Sequence, residues 1–262
     1  MGKKVGYYDS GIGGLPYLEW LKEHTTGCSF RYLAESRYFP FGTKTESEIK
    51  SIVLDSIGRF IDNQKPDLIV IACNTASVTA LDALRKAYSI PFVGVVPAVK
   101  PAVSISKKKS IGLFATNKTV SQLYTQNLID TFASGCLVSK FAMPEIVAFV
   151  EKNIFSATDE EIAHIINPAA DFFKKSGVDT VILGCTHFVY LEDAFKKVLG
   201  NEITVIDSRE GVGNRARTIL SSISDHPEDG KGNQFFVTSI EKMPENYKKI
   251  SSRFDLSFGG EI

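Results

Sequence analysis

The sequence predicts an α/β protein built of two pseudosymmetric open α/β domains with mainly parallel sheets. Three observations lead there. Short β-rich runs alternate with helical patterns along the chain, which is how βαβ units read. LIVIA at 68–72 and VILG at 181–184 are apolar without alternation, as central strands covered by helices on both faces must be. A stretch near residue 70 is also echoed near residue 180.

In chain order, strands are expected at Lys4–Tyr8, Phe30–Leu33, Leu68–Ala72, Phe92–Val96, Ile111–Ala115, Leu137–Phe141, Thr180–Leu183 and Thr204–Ile206. Between them, Thr45-Glu46-Ser47-Glu48, Thr119-Val120-Ser121-Gln122 and Thr158-Asp159-Glu160-Glu161 fit the capping box, so helices are expected to begin at all three. Ile49, Ile52, Val53, Phe60 and Ile61 then recur at helical spacing and would lay one face on a sheet. The segment Pro227–Gly232 reads as a loop, and Phe235–Thr238 as an added edge strand.

The chain has 262 residues, 44% of them hydrophobic, enough to bury sizeable cores and to exclude disorder as its main state. Thirty basic residues balance thirty acidic ones, leaving no global attraction for nucleic acid or an anionic membrane surface. Apolar stretches such as Leu68–Cys73 and Ile90–Val99 fall short of the roughly 20 residues a spanning helix needs. The run after Lys3-Lys4 breaks at Asp9, so it is no signal-peptide core, and a cytoplasmic location is expected.

The echo pairs Pro66–Thr75, ending in Cys-Asn-Thr, with Val178–His187, ending in Cys-Thr-His. A fainter one pairs Lys3–Ser10 with Lys109–Thr116. Chance repetition of a strand pattern does not require a cysteine at the same register, so two related halves are the better reading. Ligands bind outside the carboxyl ends of strands in such sheets, so the halves would present Cys73 and Cys185 to a shared cleft, the expected active site.

The residues after each cysteine should open a helix, whose N–H groups and dipole favour a thiolate. One such cysteine suggests a nucleophile. Two across one cleft suggest an acid and a base on opposite faces of one carbon, which inverts a stereocentre. Cys28 and Cys136 read as small buried hydrophobes, and the four cysteines offer neither a C-x-x-C couple nor zinc-site spacing. Asp9-Ser10-Gly11-Ile12-Gly13-Gly14 lets backbone approach an anion closely but lacks dinucleotide or P-loop spacing; Asp9 would orient a thiol or pair with an ammonium group. His187, two positions after Cys185, reads as catalytic, whereas His24, His164 and His226 do not.

With these features in place, the chain resembles the glutamate racemases of the aspartate/glutamate racemase superfamily. The resemblance rests on DSGIGGL at 9–15, FPFG at 39–42, ACNTAS at 72–77, GVVPAVKPA at 94–102, LGCTHF at 183–188 and Asp207-Ser208, six modest motifs in order over about 220 residues. It implies cofactor-independent interconversion of L- and D-glutamate, supplying peptidoglycan synthesis and so cell-wall biogenesis and cell shape. It implies that Cys73 and Cys185 are the catalytic thiols, assisted by Asp9 and His187 respectively. Substrate would be held by Asp9, Ser10, Phe41, Gly42, Asn74, Thr75, Thr186 and His187.

The resemblance also implies domains at 1–97 plus 207–262 and at 98–206, and a homodimer, with no metal, nucleic-acid or membrane partner. Two departures stand out: Glu35 where the family usually has Asp, keeping the charge on a longer arm, and Phe41 where it usually has Tyr. Glu151 resembles a further acidic position of the family. A racemase of aspartate or another amino acid is the nearest alternative, against which His187 argues. An amino-acid-binding module without turnover is a second, against which both thiols and both helpers argue.

Overall fold

A computed structural model describes residues 2–227 and 230–262, so Glu228 and Asp229 of the expected loop Pro227–Gly232 lie outside the described residues. The chain divides into two units, Met1–Val95 with Arg209–Ile262, and Val96–Ser208.

The first unit opens with β1 (Lys3–Asp9), α1 (Leu15–Glu23), β2 (Cys28–Ala34), a 3-10 turn (Phe41–Thr43), α2 (Glu46–Gln64), β3 (Leu68–Ile71), α3 (Asn74–Ala87) and β4 (Phe92–Gly94). The second holds α4 (Val99–Ile105), β5 (Ser110–Ala115), α5 (Asn117–Ser121), α6 (Leu123–Phe132), β6 (Leu137–Ala142), α7 (Glu145–Asn153), α8 (Asp159–Lys175), β7 (Thr180–Leu183), a 3-10 helix (Thr186–Leu191), α9 (Glu192–Leu199) and β8 (Thr204–Ile206). The chain then completes the first unit with α10 (Arg209–Leu220), β9 (Gln234–Val237), α11 (Tyr247–Arg253) and β10 (Ser257–Glu261).

Both sheets are parallel throughout their named strands. Their orders are β10-β9-β2-β1-β3-β4 and β6-β5-β7-β8. Removing β9 and β10 from the first leaves the order of the second, and the echo extends to register. Val5 pairs Leu68 and Tyr8 pairs Ile71, while their counterparts Ile111 and Phe114 pair Thr180 and Leu183. Even the bond beyond each ladder repeats: Ala72 N–H donates to the Tyr8 carbonyl and Gly184 N–H to the Phe114 carbonyl, both at 2.7 Å.

The β3 and β7 strands are buried along their whole length, as their unbroken apolar runs require. Capping boxes at Thr45 and Thr158 start α2 and α8, as the sequence predicts. The third expected box fails. Thr116 caps α5 by accepting from Thr119 N–H, and Gln122 stands between α5 and α6 with extended backbone. An earlier hydroxyl satisfies the donor, so the helix starts before the predicted cap. The strand expected at the edge, here β9, is interior: β2 flanks it on one side and β10, which the alternation did not signal, on the other.

Gly6 and Gly112 are counterparts in the echo, each lying beneath an aromatic ring of the helix laid on its sheet. A Cβ on Gly112 would stand 2.6 Å from two ring carbons of Phe173 in α8, and one on Gly6 would stand 2.8 Å from Phe60 in α2. Phe173 is itself locked among other rings, with centroids 6.0 Å from Phe114 and 6.4 Å from Phe195, and cannot yield freely. Gly112→Ala should therefore destabilise the protein by about 1–3 kcal/mol through overpacking, measured by urea denaturation. An unchanged midpoint would show that α8 shifts at no cost.

Candidate functional site

The first group of predicted residues gathers where β1 and β3 end. Asp9 closes β1 and is fully buried; its Oδ1 accepts from Gly11 N–H at 2.8 Å and lies 3.4 Å from the Ser10 hydroxyl. The Cys73 thiol donates to Ser10 Oγ at 3.6 Å, so Ser10 links carboxylate and sulfur. Ser10, expected only to hold substrate, thus also touches the thiol.

Cys73 is the N-cap of α3, with extended backbone at φ −134° and ψ 119°, and its sulfur accepts from Ala76 N–H at 3.5 Å. A sulfur takes the place usually held by a Ser, Thr or Asp oxygen. Negative charge on it faces the positive end of a 14-residue helix, an interaction of about 0.3–2 kcal/mol. Asn74 and Thr75 form the first turn of α3 and are buried. Phe41 starts the 3-10 turn and packs in one core cluster with Tyr8, Leu33, Cys73 and Ala76, while Gly42 beside it is exposed. Burial, followed by the charges of Glu35 and Cys73, pushes the Tyr8 phenol well above its ordinary range, so it stays neutral.

The second group is built differently. Cys185 follows β7 at the counterpart position, again with extended backbone, but it precedes a 3-10 helix of six residues and its side chain caps nothing. The helix expected to open here is thus short and tight, with α9 following only at Glu192. What stands by this sulfur is His187, whose Nδ1 lies 4.0 Å from it. On the far side of the ring, Nε2 lies 2.6 Å from Glu151 Oε1 on α7, and both side chains are 2% exposed. A carboxylate on Nε2 fixes the ring proton there, which turns the Nδ1 lone pair of the neutral ring toward Cys185. Thr186, also buried, lies between Cys185 and His187 in the chain.

Phe188 anchors this segment. Its ring centroid is 4.5 Å from Phe114 of β5, which also contacts Phe195 of α9 at 5.2 Å. Such pairs contribute about 0.5–1.5 kcal/mol each beyond the area they bury.

The thiol counterparts match, but the residues expected to assist them do not: Asp9 corresponds to Ala115 and His187 to Thr75. Glu151 was legible only through the resemblance, because a lone Glu on an amphipathic helix carries no local signal. The Cys28 thiol, pushed up chiefly by burial, is the reverse of an activated one. Among the described residues, no group of three or more His, Cys, Asp or Glu is placed to hold a metal ion, and no helix is long and apolar enough to cross a membrane.

Residues 20–210 match the Asp/Glu/Hydantoin racemase family. The chain is similar to the glutamate racemase of Actinobacillus pleuropneumoniae serotype 3 (strain JL03), 36% identical over 237 residues that cover 90% of this chain and 89% of that one. It is 39% identical over 216 residues to the glutamate racemase of Treponema pallidum (strain Nichols), covering 81% and 79% respectively. Its structure is similar to that of Escherichia coli glutamate racemase in complex with L-glutamate and the activator UDP-MurNAc-ala, with a TM-score of 0.89, 28% identity, and coverage of 100% and 98%.

Proposed function

Because this chain belongs to the Asp/Glu/Hydantoin racemase family, we propose that it interconverts L- and D-glutamate by moving a proton at Cα between two thiols, Cys73 and Cys185, with no metal or organic cofactor. The observation that carries this reading is the matched pair of strand-end cysteines in the same register, one linked through Ser10 to Asp9 and the other facing His187. The similarity to glutamate racemases over nine-tenths of the chain supports glutamate as the substrate.

In the proposed mechanism one sulfur, as thiolate, removes the Cα proton. The opposite thiol then delivers its own proton to the other face of the carbon, which inverts the centre. Cys73 reaches its thiolate with help from the α3 N-terminus and the Ser10–Asp9 pair. Cys185 does so by passing its proton to His187, whose cationic form the Glu151 carboxylate stabilises. Ser10, Phe41, Gly42, Asn74, Thr75 and Thr186 hold the substrate carboxylates and ammonium, with Asp9 and His187 also contacting it. The same reading makes the protein a cytoplasmic homodimer that provides D-glutamate for peptidoglycan.

Purified chain is expected to racemise glutamate, and aspartate far less, in the presence of EDTA, as followed by circular dichroism and chiral chromatography. In deuterated water the inverted product should carry deuterium at Cα. Cys73→Ser and Cys185→Ser should each lower kcat by at least 10³-fold without loss of folded signal, because a serine hydroxyl is too weakly acidic to serve as the base. Full activity in either variant rules out the two-thiol scheme.

The helpers are separable from each other. Enantiomers are equal in energy in water, so any variant must lower kcat/KM equally in both directions. The rate-limiting proton transfer need not stay the same. Asp9→Asn and His187→Asn should each cost about 10²–10⁴-fold in kcat/KM. With substrate deuterated at Cα, they should enlarge the primary isotope effect in opposite directions of reaction. The same pattern in both variants would show that neither residue serves a particular thiol.

A further inference from the structure

Glu35 stands one residue beyond β2 and is fully buried, yet it belongs to neither thiol. Its carboxylate accepts four hydrogen bonds. Oε1 takes the Thr238 hydroxyl at 2.5 Å and the N–H groups of Arg37 and Tyr38 at 3.1 Å each, and Oε2 takes the Ser56 hydroxyl at 2.7 Å. All four donors are neutral. Burying a carboxylate costs several kcal/mol, which only this full set of donors offsets. In return the two backbone N–H groups of a tight turn, which must be satisfied somewhere, are held in one geometry.

The same turn is stapled to the C-terminal segment. Thr238 Oγ1 accepts from Arg37 N–H at 3.1 Å, the Thr238 carbonyl accepts from Arg37 Nε at 3.0 Å, and the Ser36 hydroxyl donates to the Ser239 carbonyl at 2.7 Å. Ser239 N–H donates back to the Ser36 hydroxyl at 2.9 Å, and Arg37 pairs with Glu261 of β10 at 2.9 Å. From this fixed turn the chain runs one residue to Phe39 and on to Phe41, which belongs to the same core cluster as Tyr8 and Cys73.

We propose that Glu35, with Thr238 and Ser56, is a positioning residue that sets the loop Phe39–Gly42 and so governs glutamate affinity rather than proton transfer. The inference rests on the proposed role of Phe41 and Gly42 in holding substrate. Glu35 holds the loop at its entry, through backbone N–H groups, and touches neither sulfur by any bond described above. The longer arm of Glu spans from the end of β2 to Ser56 of α2 and Thr238 beyond β9, tying α2 to the β2–β9 ladder where that ladder ends at Ala34 and Val237.

The test compares Glu35→Gln and Thr238→Val with the parent chain in two measurements: KM and kcat in both directions, and hydrogen exchange of peptides covering residues 36–42. Both variants should raise KM for L- and D-glutamate by the same factor, on the order of 10-fold, with kcat within about 2-fold and faster exchange in 36–42. Exchange at parental rates overturns the anchoring. Faster exchange with unchanged KM overturns the link from loop to affinity. A collapse of kcat with a changed Cα isotope effect makes Glu35 a proton-transfer group and overturns positioning. If Glu35→Gln does not fold, Thr238→Val alone carries the comparison. Should the parent chain fail to racemise glutamate, the proposed function falls, whereas the exchange measurement still decides the anchoring.

Discussion

In a parallel sheet a strand's last residues and the first turn of the next helix meet at one edge, and the register between neighbouring strands decides which side chains stand there together. Here that register is set twice by the same rule. Tyr8 opposite Ile71 and Phe114 opposite Leu183 bring Cys73 beside the residues that follow β1, and Cys185 beside those that follow β5. A slip of one residue along either ladder would exchange the strand's two covered faces and carry the cysteine away from those residues. The unbroken apolar faces of β3 and β7, together with the close approach of Phe60 over Gly6 and Phe173 over Gly112, hold the register.

On this common frame the two thiols are supported by different physics. Cys73 caps a 14-residue helix and accepts a backbone N–H, so fixed dipoles favour charge on its sulfur. Cys185 precedes only a six-residue 3-10 helix, and a titratable ring backed by a carboxylate takes over. The first support is a set of fixed backbone dipoles, whereas the second is a pair of side chains. The difference in neighbours, with Ala115 opposite Asp9 and Thr75 opposite His187, fits halves that share a backbone plan but not the groups set around the cysteine.

The C-terminal return of the chain is the other asymmetry. In the second unit β6 is the sheet's edge, while its counterpart β2 is covered by β9 and then β10. Those strands close an edge that would otherwise expose unpaired backbone groups, and their ends grip the turn at Ser36 and Arg37. Completing the sheet and fixing the loop toward Phe41 are thus one set of contacts, made by residues some 200 positions downstream.

Much of this was legible in one dimension, because strand burial, capping and strand-end chemistry are local. Apolar runs located β3 and β7, a Thr three residues before a Glu located the starts of α2 and α8, and the recurrence of Cys at the same register exposed the two related halves. Where a competing local group intervened, the reading failed, as when Thr116 rather than Thr119 capped a helix. The register was implied by the echo, but the partners of each group were not. That Ser10 lies between Asp9 and Cys73, that Glu151 sits behind His187, and that Thr238 and Ser56 close on Glu35 depend on contacts over 21 to 203 residues of chain. Hydrogen bonds at such separations leave no periodicity or spacing in the sequence, so only the packing of helices and late strands against the sheets decides them.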